Sequence, residues 1–283
     1  MWRYIRRRLM LAVLTFWAVS TIVWGLLYLT GDPFDRPLPI QYLHFLSAAV
    51  QGDLGNSLRS GEPALLLVSR RVGFTVQLAL LAMTLALVVS IPVGIVSAMF
   101  RGSLTDRTLM LLSMVGQSMP IFWVGLLMIA VFAVELRWFP AGGAGGIKYL
   151  FLPAATLALY PMARIARLVR SSLLDVLNRD YILAARARGL REALVVGKHA
   201  LKNAALPVIT IVALQFGYML GGAVITETIF GWPGVGLFTV TAIHERDFPV
   251  VQAAVVLASG MFIALNFLVD LLYGWLDPRI RFS

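Results

Sequence analysis

The feature that leaves this chain fewest possible folds is the spacing of its charges. No Asp, Glu, Lys or Arg occurs from Leu9 to Leu29, Val72 to Phe100, Thr108 to Val134, Asn203 to Thr226 or Phe248 to Val269. Each window exceeds the roughly 18 apolar residues that cross a bilayer as a helix, where every backbone amide must be satisfied internally. A sixth window, Tyr149 to Ala163, would rise about 22 Å at about 1.5 Å per residue, short of a hydrocarbon core about 30 Å thick. That helix must continue past Arg164 and Arg167, whose long side chains reach an interface by snorkelling. The expected fold is an all-α membrane protein with six transmembrane helices in a single domain over residues 1–283. The spans are placed at about 9–29, 74–100, 108–134, 149–168, 205–226 and 248–274.

Composition agrees: 59% of the residues are hydrophobic, 13% are charged and mean hydropathy is +0.84. Basic residues set the orientation. Arg3, Arg6, Arg7 and Arg8, then Arg101 and Arg107, the basic run from Arg164 to Lys202, and Arg279 and Arg281 fall on one side of a six-span topology. Both termini are therefore expected on the cytoplasmic side. The same asymmetry accounts for the net charge of +10 without a nucleic-acid partner. There is no cysteine, which excludes disulfides and thiolate metal sites. The first apolar run follows arginines as a signal peptide does. It is too long for one and ends at Gly31-Asp32-Pro33 without a small-x-small cleavage site, so it reads as an uncleaved first span.

Several polar features interrupt the spans. The connection from Thr30 to Arg71 holds turns at Gly52-Asp53-Leu54-Gly55 and Gly61-Glu62-Pro63, with a short interfacial helix expected over Pro39 to Val50. The second span carries Pro92 and Gly94. The third carries Gly116, Gln117, Ser118 and Pro120, where a proline frees a carbonyl that a cavity or a neighbour must satisfy. Pro140 to Gly146 reads as a flexible glycine-rich turn, since the strand and Lys-Ser/Thr context of a phosphate loop is missing. Arg164, Arg167 and Arg170 form one helical stripe, either pairing with Asp175 and Asp180 or anchoring the helix at an anionic leaflet. The fifth span is expected to start at Pro207 and to carry Gln215 and Tyr218 within one turn of each other. Glu227 precedes IFGWPGVG, read as a rigid turn, and Asp270 of the last span is expected to pair with an arginine near the interface.

The connection at about 175–204 is too patterned for a simple loop. A small-residue helix breaks at Gly189, with Ala184 and Ala185 at its crest and Arg186 and Arg188 at its sides. Leu190, Leu194 and Leu201, with Ala193, Gly197 and Ala200, then form an apolar face opposite Arg191, Lys198 and Lys202. Two readings fit this second segment: a helix on the lipid surface, or one packed beneath the bundle that presents residues 184–189 to a partner.

No catalytic constellation accompanies these features. His44, His199 and His244 share no helix face, and HExxH, GxSxG and GxxxxGK[ST] are absent. The chain is expected to have no catalytic residues, no metal site and no bound cofactor. An ion-coupled carrier would place several ionisable groups inside the spans, and these spans hold almost none. Transport driven from another chain, and a scaffold that recruits a soluble partner through the loop, both remain compatible with the residues themselves.

The loop also carries a family resemblance. AARARG at Ala184 to Gly189 resembles the EAA signature of bacterial ABC importer permeases, with Leu183 where the general pattern has glutamate. Tyr4 to Leu9, Gly31-Asp32-Pro33, Gly52 to Gly55, SMPIFW at Ser118 to Trp123, Asp180 to Thr210, ETIFGWPGVG at Glu227 to Gly236 and DLLYGWLDPRIR at Asp270 to Arg281 resemble, in the same order, the dipeptide, oligopeptide and nickel permease family. The segment between Pro33 and Gln41 is shorter than that family's. The resemblance implies a multi-pass permease of the bacterial inner membrane. It would work with a second permease, two ATP-binding subunits that hold ATP and Mg, and an extracytoplasmic binding protein. It implies that Tyr181, Ala184, Ala185, Arg186, Ala187, Arg188, Gly189 and Leu190 form a coupling helix for the ATPase subunit. Gln117, Ser118, Gln215 and Tyr218 are the candidates for lining the pathway.

Overall fold

The computed structural model describes residues 2–29 and 38–276. The described chain is helical apart from turns and one isolated bridge between Asn56 and Pro63. In order, the helices are α1 (Trp2–Leu29), α2 (Leu38–Val50), α3 (Ala64–Met99), α4 (Leu104–Ser118), α5 (Ile121–Met128), α6 (Ile147–Leu177), α7 (Asp180–Ala187), α8 (Glu192–Leu194), α9 (Leu201–Phe230), α10 (Val235–His244) and α11 (Phe248–Leu276). Wider π turns extend α5 to Glu135 and join α8 to α9 through Val195–Ala200. Four described helices are long and apolar enough to cross a membrane: Ala64–Met99, Ile147–Leu177, Glu192–Gly221 and Phe248–Leu268. Counting each bent pair as one span raises the number to up to six.

Three boundaries differ from the sequence expectation, each for a physical reason. The expected third span is two helices bent by 103° at Met119-Pro120, because a proline cannot continue the hydrogen-bond ladder of the turn before it. The fifth helix does not start at Pro207. Its helical run begins at Glu192, and Pro207 lies inside α9. Arg191, Glu192, Lys198 and Lys202 ended the charge-free window before the helix itself ended. IFGWPGVG is only partly a turn: Val235 already opens α10, which lies at 76° to the end of α9.

The chain forms two compact units. Of the described residues, the first comprises those of 2–29, 38–77, 142–144 and 220–276, and the second 78–141 and 145–219. In the first, α1 and α10 both pack on α11, and Leu54, Val68, Val235, Val250 and Val256 lie in its core. A fully buried carboxylate organises the start of α10. Thr75 Oγ1 donates to Glu227 Oε1 at 2.6 Å and accepts from the Val235 amide at 2.9 Å, while the Gly236 and Leu237 amides donate to Glu227. The first three amides of α10 thus find acceptors on α3 and α9, replacing the N-cap side chain that Gly234 lacks. A Cβ at Gly236 would lie 2.6 Å from Val224 Cα, so this approach requires glycine. The Trp232 indole donates to Phe74 O at 2.9 Å and fixes the same turn. The glycine-rich segment is docked where a flexible turn was expected, since the Gly143 amide donates to Phe230 O at 2.8 Å. Ser57 and Asp247, both buried, share a hydrogen bond of 2.5 Å that holds the 56–63 turn.

In the second unit, α4 and α5 pack along α6, and α7 packs beneath it. Gly94 explains how closely α3 meets α6: a Cβ there would stand 2.6 Å from Val169 Cβ and 2.7 Å from Ala166 O. The arginine stripe turns to side chains of the unit, and Asp175 and Asp180 are not its partners. Arg170 makes a two-pronged pair with Asp106, both bonds at 2.7 Å, while Ser97 and the Gly102 amide also donate to Asp106. Four donors converge on one buried carboxylate and lock the start of α4 onto α6 and the end of α3. The side chain of Asp270, and all of Asp277 to Arg279, lie outside the described residues.

Candidate functional site

The expected coupling segment is built over a buried seam. Ile182 and Ala185 of α7 turn inward against Leu173, Leu177, Val195, Val196, Ala200 and Ala204. Burying the larger of these side chains contributes about 1.5–3 kcal/mol each and is the main force holding so short a helix. Tyr181, Leu183, Ala184, Arg186, Ala187, Arg188, Gly189 and Leu190 remain exposed. The outward alanines are therefore Ala184 and Ala187, three residues apart, and Ala185 belongs to the core and not to the crest. Leu183, in the position of the pattern's glutamate, is 54% exposed.

The segment after Gly189 also departs from its expected face. Ala200 of that face is buried as expected, but Val195 and Val196 are buried too, whereas Leu190 and Leu194 are 36% and 44% exposed. The π turn at Val195–Ala200 accommodates an extra residue and shifts the helical phase, so counting at 3.6 residues per turn selects the wrong stripe. Through α8 and the π turn the segment runs on into α9, as one helical stretch from Glu192 to Gly221.

Gly189 ends α7 in a Schellman turn. Its φ is +78°, its amide donates to Arg186 O at 2.9 Å, and the Leu190 amide reaches back to Ala185 O at 3.4 Å. A Cβ at Gly189 would meet nothing within 4 Å, so glycine is required by conformation and not by space. Two side-chain ties complete the segment. Arg186 forms a fork with Glu192, with bonds of 3.1 and 2.5 Å, and that hydrogen bond raises the guanidinium further above its ordinary pKa. Asn203 donates to the Tyr181 hydroxyl at 2.8 Å, linking α7 to α9. The result is a braced turn that presents apolar Leu183, Ala184 and Ala187 beside the exposed cation Arg188.

The four expected pathway residues fall in the second unit, and three of them meet α6. Arg167 donates to the Gln117 amide oxygen. Arg164 lies 3.5 Å from both the Tyr160 hydroxyl and Gln215 Oε1, and the ring of Tyr218 lies 5.9 Å from that of Tyr160. Ser118 instead bonds back to Met114 O at 2.9 Å within its own helix. Sequence reading missed Tyr160, whose spacing of four and seven residues from Arg164 and Arg167 was the available signal. It also missed Asp106 and Glu192 as partners of the arginines. Among the described residues, no group of three or more His, Cys, Asp or Glu side chains is placed to hold a metal ion.

Comparison with known proteins places this chain among transport-system components. A family model described as binding-protein-dependent transport system inner membrane component matches residues 90–282. The chain is 44% identical over 249 residues to the glutathione transport system permease protein GsiC of Pectobacterium atrosepticum, covering 88% of this chain and 81% of that one. It is 37% identical to the dipeptide transport system permease protein DppB of Escherichia coli K12, covering 99% of both. That alignment runs over 336 positions against 283 residues here, so the relative has stretches that this chain lacks. A chain from an inward-facing structure of the MetNI methionine ABC transporter superposes with a TM-score of 0.64 at 20% identity, covering 75% of this chain and 96% of that one. This likeness concerns the fold alone.

Proposed function

The chain belongs to the family of binding-protein-dependent transport system inner membrane components, and from that membership we propose that it is a permease subunit of an ATP-driven importer for peptides or related small solutes. It spans the bacterial inner membrane with both termini in the cytoplasm and forms half of the translocation pathway. Its partners are a second, similar permease, two ATP-binding subunits that carry ATP and Mg, and an extracytoplasmic binding protein. Relatives named as dipeptide, di/tripeptide and glutathione permeases support the peptide class.

The observation that carries the mechanism is the braced turn after α6. Tyr181, Leu183, Ala184, Ala187, Arg188 and Leu190 form an exposed ridge whose small residues permit close approach, with Arg188 free to meet acidic groups or carbonyls on the ATPase subunit. Behind the ridge, Ile182 and Ala185 are seated against residues of α6 and the α9 run. A push on α7 is thereby delivered to two spanning helices. Gln117, Ser118, Gln215 and Tyr218 line the pathway.

Replacing Gly189 with tryptophan tests this reading. The subunit is expected to insert and assemble, while ATP hydrolysis stimulated by loaded binding protein is lost. Stimulation at the wild-type level in that variant would contradict the coupling role.

A further inference from the structure

Only one of the three arginines along α6 meets a carboxylate. Arg170 is matched by Asp106. Arg167 bonds to the neutral Gln117 amide, and the exposed Arg164 has long contacts of 3.5 Å to the Tyr160 hydroxyl and Gln215 Oε1 and lies 5.8 Å over the Tyr160 ring. Among the described residues, no Asp or Glu lies within ion-pair distance of Arg164 or Arg167. Beside them Gln215 is 4% exposed, and its Nε2 has no hydrogen-bond partner.

The cluster therefore has a surplus of donors. Each guanidinium carries five N–H groups and each of the two amides two more, against two amide oxygens and the Tyr160 hydroxyl as acceptors. A buried donor without an acceptor and unneutralised cations on a spanning helix are both costly. An anion with two oxygens would match these donors, since a guanidinium binds one in a two-pronged fork. A lipid phosphate and a solute carboxylate share that chemistry. The unpartnered atom favours the solute, because Gln215 Nε2 is buried and the donors come from both α6 and α9, whereas arginines that anchor a helix point into headgroups.

We propose that Arg164, Arg167 and Gln215 form a station for the free carboxylate of the transported solute, with the exposed Tyr218 at its edge. The assignment rests on the import reading above. The station makes the permease itself selective for solutes with a free carboxylate, in addition to any selection by a binding protein.

The absence of cysteine gives a direct test. In the complete transporter, reconstituted with its partner subunits, a Tyr218→Cys reporter is labelled with an anionic and a cationic methanethiosulfonate. Each rate is normalised to the reagent's rate with a free thiol. The anionic reagent is expected to react about 10-fold faster, as a cationic pocket concentrates anions. Adding Arg164→Gln and Arg167→Gln brings the ratio close to one, whereas Arg164→Lys keeps most of it. Trialanine slows labelling and its C-terminal amide does not. A ratio unmoved by loss of both arginines, or equal protection (or none) from the acid and the amide, would overturn the station. So would a ratio that appears only in vesicles lacking anionic lipid, because headgroups then occupy the arginines. Failure of the import reading would appear separately, as ATP hydrolysis that loaded binding protein does not stimulate, and leaves the labelling ratio readable.

Discussion

Two turns in this molecule depend on glycine for opposite reasons. After α7, Gly189 has φ +78° and open space where a Cβ would go. At the start of α10, Gly234 and Gly236 press against Glu227 and Val224 and leave no room for a Cβ. The first turn is finished by its own backbone and displays a face. The second is finished by the buried side chains of Glu227 and Thr75 and displays nothing comparable. Glycine in the first turn answers a backbone conformation, and in the second it answers the packing of the unit.

This contrast can be broken by substitution. The largest effect is expected from Gly236→Val, which drives a branched side chain into Val224 of α9 and should cost about 3 kcal/mol or more. Thermal unfolding of the purified subunit in detergent would register it, and an unchanged midpoint would mean that α10 is not seated as described. Glu227→Ala strips acceptors from the first amides of α10 and leaves Thr75 Oγ1 without its own acceptor. A loss of about 2–3 kcal/mol follows by the same measurement.

The exposed turn should behave differently. Gly189→Ala meets no neighbour and carries only the left-handed backbone penalty of about 1–2 kcal/mol, much of it confined to local fraying. Stimulated ATP hydrolysis should fall out of proportion to that change, and loss of stability without loss of coupling would remove the distinction between the turns. The smallest effect on stability belongs to Arg186→Gln. Its pair with Glu192 is solvent-exposed and worth about 0.5 kcal/mol or less. Hydrogen exchange at residues 186–192 should quicken while global unfolding stays in place.

The same contrast separates what was legible in the sequence from what was not. Charge-free windows revealed the long apolar helices, since lipid excludes charge along a continuous stretch of chain. Gly189 stood out as a helix stop because the φ it requires is a local property. Thr75 and Glu227 are 152 positions apart and Asp106 and Arg170 are 64 apart, so no periodicity links either pair. The inward side of α7 was misread at Ala185 because two adjacent alanines look alike until their neighbours are known. The π turn at Val195–Ala200 shifted the helical phase without leaving a compositional mark. Pro120 announced a break, but a bend of 103° is set by packing.

In the proposed coupling role, the ridge of α7 meets the ATP-hydrolysing subunit while the turn at residues 56–63 does not. Site-directed photocrosslinking in the assembled transporter tests it, with the photoreactive side chain placed at Ala187 in one variant and at Leu58, 71% exposed in the other unit, in a second. An adduct to the ATPase subunit is expected from position 187 and none from position 58. An ATPase adduct from position 58, or none from position 187 in a transporter that still hydrolyses ATP, would contradict it.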